Sequence, residues 1–279
     1  MRELSASVDF LATIEHALDG TPLAFASAAD QVISGELTKG LNTYAAILQL
    51  CLDGFDVQAE MLTTALFESC ILAAWTSLHP EIARDRFDLH ARYVANLYYE
   101  SRVAAGVFHG LGLAPHPLTE SDREAAVTFF GPSGDRGWTG RDLRQMAEEI
   151  NARIGASSLA QADAHLNVIM RGVNWTLHST MMGSLRTLDS HPEGSSFMTI
   201  GPHSTGIYDA LLTGWNLGYQ LVGTTIDYFG WDWERELQSA GYLVWESMLP
   251  ISVARDLVRS NPCPCGSGRK FKNCHLRLK

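Results

Sequence analysis

Apolar residues along this chain show sustained alternation of the strand type in no segment and recur three and four positions apart. That spacing runs through roughly 3–18, 28–52, 56–78, 81–109, 120–130, 140–153, 158–180, 206–228 and 233–258. A period near 3.6 residues gathers apolar side chains on one stripe of a helix, whereas a half-buried strand needs strict alternation. The breaks fall on residues that stop helices: Asp19-Gly20, Asp53-Gly54, His79-Pro80, Gly131-Pro132 and Gly155. Only Phe197-Met-Thr-Ile200 reads as a short extended piece. The expected fold is all-α, a multi-helix bundle with long antiparallel members.

Residues 181–205 interrupt the pattern with Gly183, Asp189, Ser190, His191-Pro192, Gly194 and Gly201-Pro202, which predicts a long loop between two helices. The clear domain boundary falls near Ser260-Asn261-Pro262. It separates a helical domain over 1–259 from a small element over 260–279. With 279 residues and 46% hydrophobic content, the body can bury a sizeable core. Charged residues are expected to interrupt every apolar run before the roughly 18 to 20 residues that span a bilayer. The opening MRELSASVDF carries acids where a secretory signal needs an apolar centre. Three of the five cysteines cluster at the C-terminal end, and Cys51 and Cys70 stand alone in apolar helical patterns, so no disulfide framework is indicated. These features together predict a cytoplasmic protein that does not enter a membrane.

Charge is unevenly spread. From Arg255 onward seven basic residues face one acid, Asp256, a net of +6 within a chain of net −10, which leaves −16 for residues 1–254. An acidic body disfavours indiscriminate contact with phosphate backbones, whereas the basic tail suits RNA or an acidic protein surface. The same lysines and arginines would also keep a small metal knuckle in solution.

The tail holds Cys263-Pro-Cys265-Gly-Ser-Gly-Arg-Lys-Phe-Lys-Asn-Cys274-His275. Three thiolates and an imidazole are the donor set that tetrahedral Zn2+ prefers, and four protein ligands leave no open position, which predicts structural rather than catalytic zinc. Gly266 and Gly268 let the chain fold back so that Cys274 and His275 complete the site with Cys263 and Cys265. A segment this short builds no core, so metal binding is what folds it. Residues 262–275 resemble the SEC-C motif, a zinc-binding element first recognised at the C-terminus of the SecA translocation motor and carried by many unrelated bacterial proteins. That resemblance implies an appendage that contacts a protein partner or the ribosome.

In the body, Glu68 stands mid-helix among apolar neighbours. Burying a carboxylate is costly without a partner, so Glu68 is a candidate general acid/base or ligand contact, with a structural ion pair or hydrogen bond as the competing reading. His178 closes the helix predicted over 158–180, one turn after Asn174, and is a candidate base, nucleic-acid contact or partner of the helix dipole. His203 lies at the far end of the following loop. The stretch Met61–Trp75, followed by His79-Pro80-Glu81 and Arg84 to Tyr93, resembles a bacterial all-helical family of uncharacterised function. Its members carry Arg-Ser-Leu-Phe-Glu where this chain has Thr64-Ala-Leu-Phe-Glu68, and a late Asn or Ser followed by His, matched here by Asn174 to His178.

A ribonuclease reading also arises. Proteins of the HEPN superfamily are helical bundles whose RNase site is an arginine followed, after four to six residues, by a histidine. Arg171 and His178, Arg102 and His109, and Arg84 and His90 fit that spacing; in the first two pairs a seven-residue separation puts both side chains on one helix face. With ten histidines in 279 residues chance supplies about two such pairs, and five occur, so the spacing alone does not identify a nuclease. No helix supplies the Glu-x-x-His pairs of a di-metal carboxylate bundle, and no phosphate-cradling glycine loop is present. The aromatic residues Tyr208, Trp215, Tyr219, Tyr228, Phe229, Trp231 and Trp233 read as packing of the last helices or as a ligand pocket.

Two functions follow. One is a bacterial helical protein whose zinc element docks to a protein or ribonucleoprotein partner; the other is a HEPN-like ribonuclease of stress or phage defence. A homodimer is compatible with both.

Overall fold

The computed structural model describes residues 2–19, 21, 25–107, 116–134, 137–154 and 206–248, together with the backbone of two short strands. The described residues are mostly helical. In chain order the helices are α1 (Arg2–Asp19), α2 (Ala28–Leu52), α3 (Asp56–Leu78), α4 (Pro80–Ala104), α5 (Glu120–Phe130), α6 (Leu143–Ile154), α7 (Ile207–Phe229) and α8 (Glu234–Met248). The strands β1 (Leu188–Ser190) and β2 (Ser196–Met198) lie between α6 and α7 and pair antiparallel, Asp189 opposite Phe197. The stretch expected to be a plain loop therefore contains a small hairpin, and β2 overlaps the extended piece read at Phe197.

Local chemistry sets the ends. Ser27 and Asp30 form a capping box on α2: the Ser27 amide donates to Asp30 and the Asp30 amide to Ser27 Oγ, at 2.8 and 3.0 Å. Asp142 and Gln145 repeat that exchange before α6. Pro80 opens α4, where its missing N–H costs nothing. Gly230, in the left-handed region at φ 68°, closes α7. One expected helix is shorter than its apolar pattern. α4 stops at Ala104 because Gly106, at φ 69°, turns the chain, although apolar Val107 continues the periodicity.

The chain falls into two compact units, Met1–Pro22, Leu37–Cys70 and Asp163–Lys279 in the first, Leu23–Glu36 and Ile71–Ala162 in the second. In the first, α1 packs along α8, and Arg2 caps the end of α8 by donating to the carbonyls of Glu246 and Ser247 at 3.0 and 2.7 Å. Tyr44, fully buried, sits edge-on to Phe10 with ring centroids 6.0 Å apart and lies against Gly214 and Gly218 of α7. A Cβ at these glycines would lie 3.4 and 3.7 Å from the ring, at ordinary contact distance, so the packing is close without overlap. In the second unit, buried Tyr93 of α4 donates to the carbonyls of Gly131 and Pro132 at 3.2 and 2.9 Å, which fixes the turn after α5 over buried Phe130.

Against expectation, α3 is long and apolar enough to cross a membrane, with a mean hydropathy of 1.3 over an 18-residue window. Thr63, Ser69 and Thr76 are buried within it without loss of hydrogen bonds, turning their hydroxyls back onto carbonyls of the preceding turn, at 2.7, 3.1 and 2.6 Å. Ala59, Leu66, Ala73 and Trp75 of α3 are wholly buried, as befits a helix that is apolar on all sides.

Candidate functional site

In the second unit, polar groups converge on Glu149 of α6. The Trp75 indole donates to its Oε2 at 2.6 Å, and the Arg141 Nε to its Oε1 at 2.7 Å. His79, in the break between α3 and α4, stands with Nε2 3.6 Å from Glu149 and Nδ1 3.7 Å from Glu81. The His79 ring lies 4.7 Å from that of Trp75, and Trp138 meets Trp75 edge-on at 6.0 Å. Hydrogen bonding from Arg141, then from Trp75, holds the Glu149 carboxyl below its ordinary range. A carboxylate so held is a poor proton donor. The arrangement joins the end of α3, the start of α4 and α6 by satisfying a buried indole, with His79 set between the carboxylates of Glu149 and Glu81.

A second polar centre belongs to the first unit. Asp56, buried at the start of α3, accepts from its neighbour Val57 N at 2.8 Å and from Gly206 N, at the start of α7, at 2.5 Å. One carboxylate thereby serves two helix N-termini, where backbone N–H groups favour negative charge. Burial, reinforced by the Asp56 charge, pushes the thiol of nearby Cys51 up to about 11, which leaves it unreactive at neutral pH. Cys70 is equally enclosed, its Sγ donating to the Leu217 carbonyl at 3.1 Å.

The residues singled out by sequence fall differently. Glu68 lies on α3 but is exposed, so the burial that made it conspicuous does not exist. α3 is apolar nearly all round, and Gln58 and Glu68 are its two exposed positions. Arg102 donates to the Tyr98 hydroxyl at 2.8 Å. Because α4 ends at Ala104, the helical register that was to align Arg102 with His109 does not reach His109, which lies outside the described residues. Arg84 is exposed and pairs with Asp85 at 2.9 Å, while His90 turns its ring edge-on to Phe130 at 4.9 Å. The Arg84–His90 separation of six residues places them on different faces of α4. Arg171, His178, His203 and the four zinc candidates Cys263, Cys265, Cys274 and His275 lie outside the described residues. Among the described residues no group of histidine, cysteine and acidic side chains could hold a metal ion.

Sequence reasoning missed Glu149 and Asp56. The one signal for the first was Trp75, whose indole must find an acceptor once buried; for the second it was an aspartate at a helix start.

Comparison with known proteins places the remaining element. Residues 259–277 match the SEC-C motif family, so the chain carries that motif at its C-terminal end. Over 42 residues it is 45% identical to the protein translocase subunit SecA of Methylococcus capsulatus, a match covering 15% of this chain and 5% of that protein. The corresponding subunits of Bacteroides fragilis and Bacteroides thetaiotaomicron are 57% and 58% identical over 28 and 26 residues, 10% and 9% of this chain and 2% of each of theirs. The chain thus spans a small fraction of the length of these relatives, and no solved structure matches it.

Proposed function

We propose that this is a cytoplasmic bacterial protein in which a helical body carries a zinc-structured docking element, and that the element binds a protein or ribonucleoprotein partner. The observation that carries the proposal is the SEC-C match at residues 259–277 with all four donors in place. Three cysteines and one histidine fit Zn2+ in number and kind, and such a complete set assigns the ion a structural role. Zinc would close the 263–275 segment and thereby order the basic side chains between its ligands, Arg269, Lys270 and Lys272. Thiolates kept for metal also suit a reducing compartment.

In this reading the helical body carries the docking element. Co-sedimentation of the full chain with bacterial ribosomes, and with proteins released from them by high salt, tests the docking reading. Wild type should co-sediment with one of these fractions, and the Cys263→Ser/Cys265→Ser variant should lose most of that binding while keeping its helical circular dichroism. A variant that binds as well as wild type would sink the proposal.

A further inference from the structure

In the second unit the turn after α5 sits on α4, and an imidazole is part of the contact. Gly131 and Gly134, at φ 80° and 66°, carry the chain over α4, and a Cβ at Gly134 would stand 3.2 Å from Val94 and 3.3 Å from Leu97. Tyr93, Phe130 and His90 hold the turn in place. Tyr93 donates to the Gly131 and Pro132 carbonyls, buried Phe130 ends α5 against the turn, and His90, one helical turn before Val94, hydrogen-bonds the Gly134 backbone.

His90 is the weak member of that group. Its Nε2 is enclosed without a hydrogen-bond partner, and its ring stands edge-on to Phe130, the centroids 4.9 Å apart at 81°. A neutral imidazole tolerates that place, whereas an imidazolium would bring a second, charged N–H into it with no acceptor. Among the described residues no carboxylate offsets that charge. On α4, Arg86 lies one turn earlier as a like charge with its guanidinium over the Phe129 ring at 4.9 Å, while Asp88 and Arg92 pair with each other at 2.9 Å. On α5, Asp122 and Arg123 are engaged with Arg92 and Glu100, and the turn 131–134 has no titratable side chain. Burial accordingly pushes His90 below the ordinary histidine value, and its bond to Gly134, which works the other way, is the smaller effect.

We propose that His90 is an acid-operated latch of this corner: neutral, it keeps the turn 131–134 and the last turn of α5 seated on α4; protonated, it releases them while the rest of the second unit stays folded. A released corner exposes the ring to water, where it binds a proton at the ordinary value near 6.5. The seated corner resists that proton, so release is favoured as pH falls below about 6.5. The opening is hinged rather than global. Arg92–Asp122 and Arg123–Glu100 pairs tie the first turn of α5 to α4, and hydrogen bonding from Arg92 keeps the Asp122 carboxyl ionised below the usual carboxylate range. The Asp122 tie therefore outlasts protonation of His90, and the end of α5 swings on it. That movement uncovers Phe130 and Tyr93, which are buried in the seated form.

Amide hydrogen exchange of the full chain, resolved by residue at about pH 7.5 and about pH 5.5 and corrected for the intrinsic rate at each, tests the latch. Opening at Gly131, Ser133, Gly134 and residues 128–130 should rise severalfold in acid, about tenfold being the ceiling that one proton sets over that interval. Amides at 92–97 of α4 and 146–150 of α6 should not follow. His90→Gln removes the titration while keeping a group able to reach the Gly134 backbone, and it should flatten the response to pH at the corner. Should the glutamine variant not fold, His90→Phe serves the same purpose and keeps a ring against Phe130. An acid response that is absent from the wild type, that survives in these variants, or that spreads evenly through the second unit would overturn the proposal.

Discussion

Gly40 and Gly241 let the helices of the first unit approach until side chains of one fill the space that a Cβ on the other would need. At Gly241 that space is taken by the Tyr219 ring, and at Gly40 by Leu221. The second unit is organised differently, with Arg92 bridging Asp88 and Asp122 at 2.9 and 3.3 Å, Arg123 paired to Glu100 at 2.9 Å, and Glu149 joining Trp75 and Arg141. The first unit depends on close fit among buried uncharged groups and, apart from buried Asp56, leaves most of its acids outward. The second balances its charges locally. Two halves of one helical chain thus reach stability by different routes, and they should fail under different conditions.

The largest effect is expected at the aromatic centre of the second unit. Trp75→Ala removes a wholly buried ring and orphans one Glu149 oxygen, and should cost about 3–5 kcal/mol in chemical denaturation. In the first unit, Gly241→Ala should cost about 1–3 kcal/mol, because the Tyr219 ring cannot yield as a flexible chain end would. Should Gly241→Ala prove neutral, close fit does not govern the first unit. A smaller loss is expected from Glu149→Gln, about 1 kcal/mol after allowance for a carboxylate a third exposed.

Titration sharpens the contrast. Glu149 and Asp122 are held below their ordinary values, the former by Arg141 and the latter by Arg92, so their stabilisation is present above about pH 4.5 and is lost as pH falls further. Burial lowers His90, so the unfolded chain takes up its proton first and the second unit begins to weaken below pH 6.5. In the first unit burial raises Tyr44, Cys51 and Tyr219, whose folded forms keep their protons while the unfolded chain gives them up above about pH 9 to 10. Hydrogen exchange resolved by residue should therefore show the second unit opening first in acid and the first unit opening first in alkali. The same order at both extremes would break the comparison. The smallest signal concerns Cys51, which should resist alkylation at pH 8 in the native protein and react once denaturant is added.

Much of the fold was legible because helix ends are local chemistry. The ranges 28–52, 56–78 and 120–130 match the observed helices, each bounded by a cap, a glycine or a proline visible in the sequence. Where the reading overran, at 81–109, the apolar repeat continued past a glycine that ends the helix by its backbone angle, and periodicity is blind to that angle. Glu68 misled for a related reason: apolar neighbours along a helix do not show which direction faces solvent when the helix is apolar nearly all round. Glu149 escaped notice because its partners Trp75 and Arg141 are 74 and eight positions away, and only folding assembles them. The aromatic residues near the last helices divide between roles: Trp233 is buried, while Tyr208 is 46% exposed with its hydroxyl donating to the Met248 carbonyl at 2.7 Å. The SEC-C motif is the opposite case, since its residues are contiguous in the chain and need no fold to be read.

The central claim is that this C-terminal element is built around a single zinc ion. Native mass spectrometry of the full chain, purified under reducing conditions without added metal, tests it most directly. The account predicts one zinc per chain, lost in Cys263→Ser/Cys274→Ser with the helical body intact; a wild-type chain that is metal-free and takes up no zinc on titration would contradict it.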